Sequence, residues 1–259
     1  MKLYALFGNP VSHSLSPRMH NLSFKSFGIN AVYLREKLIK GEDLKKRFEE
    51  LALSGANITV PHKEIALSSC DEIRGIALDI KAINTIVKEG NSLIGYNTDA
   101  PGFLRALKSF SPPKSALILG AGGTARALAH ALRSIGIEPV LLNRSKRRLN
   151  DFVLQGFTCF THSNFTPSGY DIIINTTSAG LNDESFPAPE ALLGELLTNA
   201  KGAMDVIYGH ETPFLKKAKE CKVFCKDGES MLLYQGVIAF NLFHNKRLNE
   251  TKIEEAMLK

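Results

Sequence analysis

A single lysine, Lys63, closes the run Asn57-Ile58-Thr59-Val60-Pro61-His62-Lys63, and a carboxylate, Asp99, closes Gly95-Tyr96-Asn97-Thr98-Asp99. A lysine held against a carboxylate can give a proton to a carbonyl oxygen and take it back from the alcohol. Between the two lies Ala82-Ile83-Asn84-Thr85, which adds an amide. Upstream, Gly8-Asn9-Pro10-Val11-Ser12-His13-Ser14-Leu15-Ser16-Pro17 sets two alternate hydroxyls, Ser14 and Ser16, beside a helix start. That is a place for a carboxylate on a ligand. Each residue also has an ordinary reading: Lys63 as a solvated cation, Asn84 as a turn former, Asp99 as a helix cap. Ser16 reads as an N-cap ahead of Pro17, whereas Ser14 has no such local reason to be there. His13 and His20 read as structural or exposed.

A second chemistry is written in Gly120-Ala121-Gly122-Gly123-Thr124-Ala125, which follows the apolar run 116–119 and opens an amphipathic stretch at 124–135. This is the G-x-G-x-x-A form of the dinucleotide turn. Gly120 permits the turn, Gly122 lets the backbone approach a pyrophosphate, and Ala125 keeps helix and strand close. An NAD site expects an acid about 20 residues on. Here the second strand ends Asn143-Arg144-Ser145 and continues Lys146, Arg147, Arg148, with no acid. A guanidinium at that place pairs with a 2′-phosphate. The cofactor is therefore expected to be NADP, held by Gly120, Ala121, Gly122, Gly123, Thr124, Asn143, Arg144, Ser145 and Arg148.

The elements that must position these groups alternate. Short Val-, Ile- and Leu-rich runs at 3–7, 31–34, 56–60, 116–119, 139–142, 171–175 and 203–207 are separated by helical stretches at 17–27, 41–53, 124–135 and 213–221. The pattern predicts an α/β fold with parallel sheets, whose ligands lie at the carboxyl ends of strands. Ser111-Pro112-Pro113 ends a helix that starts near Asp99. We expect two α/β domains, 1–101 and a Rossmann-type 102–228, then helices in 229–259 that pack back on the first. The chain has 259 residues with 44% hydrophobic and 22% charged, enough for globular cores. No apolar run approaches the span of a bilayer, and residues 1–7 read as a first strand rather than a secretory leader. Four scattered cysteines predict no disulfide framework and no metal site. The net charge of +6 suits anionic small molecules, and no aromatic-interleaved basic stripe points to nucleic acid.

In order along the chain, these motifs are similar to those of the shikimate dehydrogenase family: 8–17, 57–63, 82–85, 97–99, the glycine turn with Asn143-Arg144-Ser145, Asn175-Thr176-Thr177-Ser178-Ala179-Gly180, and Asp227-Gly228 followed by Met231, Leu232 and Gln235. The resemblance implies an N-terminal substrate domain and reversible reduction of 3-dehydroshikimate to shikimate with NADPH, in chorismate and aromatic amino-acid biosynthesis. It places the site in a cleft between the domains, which would close around both ligands to exclude water. Ser14 and Ser16 would hold the substrate carboxylate, Asn57, Thr59, Asn84, Asp99 and Gln235 the ring hydroxyls, and Lys63 and Asp99 would be the catalytic pair. Tyr208 would lie beside the nicotinamide, and Thr176, Ser178 and Gly228 would also touch the cofactor. The family implies a cytoplasmic monomer or homodimer. Three departures stand out: Lys81 where the family usually has Gly, Thr124 where Ala is more usual, and Asp205-Val206-Ile207-Tyr208-Gly209-His210-Glu211-Thr212, one residue short and lacking a proline. A quinate/shikimate dehydrogenase using NAD would share most motifs, but Arg144 argues against NAD. A non-catalytic NADP-binding sensor would need the glycine turn but not Lys63 with Asp99.

Overall fold

A computed structural model describes all 259 residues. The chain divides into two compact units, Met1–Gly102 with Leu232–Lys259, and Phe103–Met231. The first unit opens with β1 (Lys2–Gly8), α1 (Ser16–Ser26), β2 (Ala31–Lys37), α2 (Leu44–Glu50), β3 (Gly55–Ile58) and β4 (Glu72–Ile73). It continues through α3 (Ala77–Ile80), β5 (Thr85–Glu89) and β6 (Ser92–Tyr96) to α4 (Asp99–Leu107). The second holds β7 (Ala116–Leu119), α5 (Gly123–Ser134), β8 (Val140–Asn143), α6 (Lys146–Leu154), β9 (Thr158–Thr161) and β10 (Ile172–Asn175). After α7 (Glu190–Thr198), β11 (Gly202–Asp205), α8 (Pro213–Glu220) and β12 (Phe224–Lys226), the chain returns to the first unit through α9 (Glu229–Phe243) and ends in α10 (Glu250–Met257). The passages between units fall inside α4, after Gly102, and inside α9, after Met231.

The first sheet runs β2-β1-β3-β5-β6-β4. β1 is parallel to both β2 and β3. The expectation of an all-parallel sheet fails here: β5 is antiparallel to β3 and to β6, forming a hairpin over Gly90 and Asn91. A two-residue loop led by glycine is a hairpin turn, and it replaces the crossover helix that parallel strands require. β1 is covered on both faces, so its apolar residues do not alternate with polar ones. Tyr4 and Leu6 join Phe24, Tyr33, Phe240, Phe243, Ile253 and Met257, so α1, α9 and α10 close one face. Ala5 and Phe7 face the other core with Phe48, Ile58, Ile83 and Ile86.

The second sheet runs β12-β11-β10-β7-β8-β9, every pair parallel. Counted from β7, this is the 3-2-1-4-5-6 order of the dinucleotide-binding fold, with its switch between β7 and β10.

Lys81 caps α3 in the left-handed region, at φ 53° and ψ 38°. A side chain there costs backbone energy that glycine avoids. Lys81→Gly is therefore expected to stabilise the protein by about 0.5–1 kcal/mol, read as a rise in the urea midpoint. An unchanged or lower midpoint would mean that the lysine side chain returns what its backbone costs.

Candidate active site

The parallel pairing of β1 with β3 puts the loop after Gly8 beside the loop after Ile58, both at carboxyl ends. The antiparallel β5 brings its first residues to the same edge, since Thr85 pairs with Asn57 on one side and Tyr96 on the other. The hairpin that the sequence reading did not contain is thus what delivers Asn84 and the 97–99 segment to the end of β3.

Lys63 Nζ donates to Asp99 Oδ2 at 2.7 Å, and both side chains are largely buried. The Lys63 carbonyl accepts from Ile83 N, which ties the lysine's backbone to the strand that follows. Asp99 does not cap α4; Asn97 Oδ1 takes the Ala100 N–H instead. The second oxygen, Asp99 Oδ1, accepts from Asn84 Nδ2 at 2.9 Å. Asn84 in turn is held by Thr98 N, which donates to its Oδ1 at 2.7 Å. Asn84 Nδ2 also lies 2.9 Å from Thr98 Oγ1 and 3.3 Å from Gln235 Oε1. Gln235 reaches this cluster because Gly102 lets α4 and α9 touch: a Cβ there would sit 2.7 Å from Gln235 N.

Asn57 is buried, and both its amide hydrogens are taken: Nδ2 donates to Thr85 Oγ1 at 2.9 Å and to the Asn84 carbonyl at 3.2 Å. Thr59 is half-buried against Gly8, its N–H given to Phe7 O. Ser14 Oγ donates to Ser16 Oγ at 3.2 Å and accepts from Ser16 N at the same distance. The capping expected of Ser16 is absent, because α1 has no side-chain cap from Leu15 and Ser16 is itself its first residue. The hydroxyl nearest a cap is that of Ser14, whose carbonyl also accepts from Arg35 Nη2 at 2.7 Å. The two hydroxyls remain adjacent and oriented.

In the second unit the glycine turn leads from β7 into α5. Gly120 has φ 113°, and a Cβ would lie 2.6 Å from Thr176 Oγ1. Thr176 donates from both N and Oγ1 to Leu119 O, closing the end of β10 over the turn. Gly122 starts α5 with no side-chain cap, and a Cβ there would meet open space. An uncapped helix start with room before it is a cradle for an anion. Asn143 Nδ2 donates to Ser145 O, turning the chain so that Arg144, Ser145 and Arg148 are exposed at the start of α6. Burial and the nearby Arg144 charge lower the pKa of His162. These residues fit a 2′-phosphorylated dinucleotide.

Tyr208 is half-exposed and Ser178 exposed. The shortened segment around Tyr208 is pinned from below. Buried Asp205 accepts from Asn175 Nδ2, Ile207 N and Thr212 Oγ1, and burial pushes its carboxyl up to about 6. Thr212 caps α8 through Leu215 N, and His210 Nε2 lies 2.8 Å from Gly180 O. Gly228 N donates to Ile207 O, and a Cβ there would meet Val206 O, so it seats the start of α9. Sequence reasoning assigned no role to Thr85, Thr98 or Tyr33. The first two sat inside quoted motifs, and Tyr33 read as one more apolar strand residue.

A sheet in dinucleotide-binding order with this turn, in a chain that also carries a buried lysine–carboxylate pair, defines a nicotinamide-dependent oxidoreductase. Residues 6–86 match the shikimate dehydrogenase substrate binding domain. The chain is 47% identical over 253 residues to the shikimate dehydrogenase (NADP(+)) of Helicobacter hepaticus, covering 97% of this chain and 94% of that protein. It is 40% identical to the Aquifex aeolicus protein of the same name over 94% and 91% of the two chains. It superimposes at a TM-score of 0.86 and 33% identity on Thermus thermophilus shikimate 5-dehydrogenase in complex with NADP(H) and shikimate, covering 100% and 99%. The chain belongs to the shikimate dehydrogenase family.

Proposed function

We propose that this chain interconverts 3-dehydroshikimate and shikimate with NADP(H), a step of chorismate and aromatic amino-acid biosynthesis, in the cytoplasm and as a monomer or homodimer. The observation that carries the reading is the buried Lys63–Asp99 pair with Asn84 on its second oxygen. NADPH, when bound at the second unit, supplies a hydride to a carbonyl carbon. The chain's own work is at the oxygen. Lys63 gives a proton from Nζ as the ketone becomes an alcohol, and its charge stabilises the negative oxygen before that transfer is complete. In the oxidation Lys63 takes the proton back. Asp99 aims Nζ, and Asn84 aims Asp99.

Ser14 and Ser16 would receive the substrate carboxylate. Asn57, Thr59, Asn84, Asp99 and Gln235 would meet ring hydroxyls, and Asn57, whose amide hydrogens go to Asn84 O and Thr85 Oγ1, would also brace those two residues. Tyr208 would face the nicotinamide, and Gly120 to Thr124, Thr176, Ser178, Gly228 and the Asn143–Ser145 corner with Arg148 would line the cofactor site.

Ser14→Ala tests the reading. Losing a hydroxyl bond to a carboxylate costs ~1.5–3 kcal/mol, so shikimate KM should rise roughly 10–150-fold while NADP⁺ KM holds. The bond from Ser16 N adds a stability loss of about 1 kcal/mol. A melting temperature that falls with no change in shikimate KM would make Ser14 structural only.

A further inference from the structure

We infer that Tyr33 is a positioning residue for this reaction, acting through Asn57; the role rests on the activity proposed above. Tyr33 lies buried on β2 and is gripped by α1 at three points. Asn21 Nδ2 donates to Tyr33 O at 3.0 Å, and Tyr33 N donates to Asn21 Oδ1 at 2.8 Å. The His20 ring stacks on the phenol, centroids 4.3 Å apart and planes 8° from parallel. Burial pulls His20 down to about 3, so a neutral imidazole holds the stack at working pH. Backbone and ring are both fixed, which leaves the hydroxyl one place to point. It donates to Asn57 Oδ1 at 2.7 Å.

The Asn84 carbonyl, which can only accept, sets which way the Asn57 amide faces, and the Tyr33 hydroxyl holds its oxygen side in place. With Oδ1 toward Tyr33, Nδ2 donates to Asn84 O and Thr85 Oγ1. A turned amide would set an oxygen against the Asn84 carbonyl. Thr85 Oγ1, once supplied by Asn57, donates to Asn84 Oδ1 at 3.2 Å. Asn84 then presents its amino group to Asp99 Oδ1, and Asp99 holds Lys63. The relay Tyr33, Asn57, Thr85, Asn84, Asp99, Lys63 is buried almost throughout, where an unmade hydrogen bond is expensive and its neighbours reorganise. A small displacement of the proton donor is felt in the chemical step. Tyr33 itself need not touch substrate.

The test is a double-mutant cycle of Tyr33→Phe and Asn57→Ala, read by steady-state shikimate oxidation with NADP⁺. Tyr33→Phe keeps the ring and removes one oxygen. It should lower kcat by about 5–30-fold, the value of one buried hydrogen bond, with NADP⁺ KM unchanged and shikimate KM within about threefold. Asn57→Ala should lose at least as much, and the double variant should be no worse than Asn57→Ala alone, because the hydroxyl acts only through that amide. A hydroxyl that serves stability alone would lower the melting temperature and leave kcat of the folded enzyme within twofold of wild type; that result overturns the role, as do losses that multiply in the double variant. Wild-type protein without shikimate turnover would overturn the activity and the role with it, whereas turnover with a fully active Tyr33→Phe overturns the role alone.

Discussion

Lys63→Ala is expected to lower kcat by about 10²–10⁴, the usual contribution of a positioned proton donor, with shikimate KM changed far less. The lysine is the one group paired with Asp99 that carries a transferable proton, at 2.7 Å. Its removal also leaves a buried carboxylate supported only by Asn84 among the contacts described. Breaking such a pair costs about 3–5 kcal/mol, so kcat must be referred to folded protein by measuring well below the melting transition. Asp99→Asn separates aiming from proton transfer. It should lower kcat because Nζ is no longer held, and raise shikimate KM if Asp99 also accepts from a ring hydroxyl. A Lys63→Ala variant keeping more than a third of wild-type kcat would remove Lys63 from the chemistry, and an unchanged KM in Asp99→Asn would remove the second role of Asp99.

Arg144→Ala is expected to raise NADP⁺ KM strongly while leaving NAD⁺ turnover almost untouched. In an NAD site, a carboxylate at the end of the second strand accepts from the ribose and repels a 2′-phosphate. Here the strand ends at Asn143, which bends back onto Ser145 O, and the exposed Arg144 follows. A guanidinium pairs with phosphate in two-pronged fashion, and Arg148, four residues on, lies in the first turn of α6. Recognition by such bonds is worth ~2–4 kcal/mol, roughly 30–1,000-fold in kcat/KM. Because these cations are exposed, added salt should weaken NADP⁺ more than NAD⁺. Equal use of both cofactors by wild-type protein would refute this account of the strand end.

How much of this was legible in the sequence depended on range. β7 was read to the residue, 116–119, because a fully buried strand followed by Gly120 has sharp ends. The expected parallel pattern fails in the first sheet at 85–96, where Lys88, Glu89, Asn91 and Ser92 around the turn give the segment a loop-like polarity. The local cue for the hairpin is Gly90-Asn91, a two-residue glycine-led loop between the β-rich runs 85–87 and 92–96, which an expectation of parallel sheets leaves unused. The two serines stand out in the sequence, but which hydroxyl meets a backbone N–H depends on where the first helical turn begins, and it is Ser14 rather than Ser16 that accepts one. Tyr33 was invisible because its importance lies in a partner 24 residues away. Lys81 was noticed only as a departure; its left-handed backbone explains why glycine suits that place.

The measurement that bears most directly on the central claim is initial-rate reduction of NADP⁺ by the purified chain with shikimate, run beside NAD⁺ and beside quinate. The account predicts shikimate-dependent formation of NADPH, with kcat/KM for NADP⁺ roughly 30–1,000 times that for NAD⁺. No turnover of shikimate with either cofactor, from protein that melts cooperatively, would contradict it.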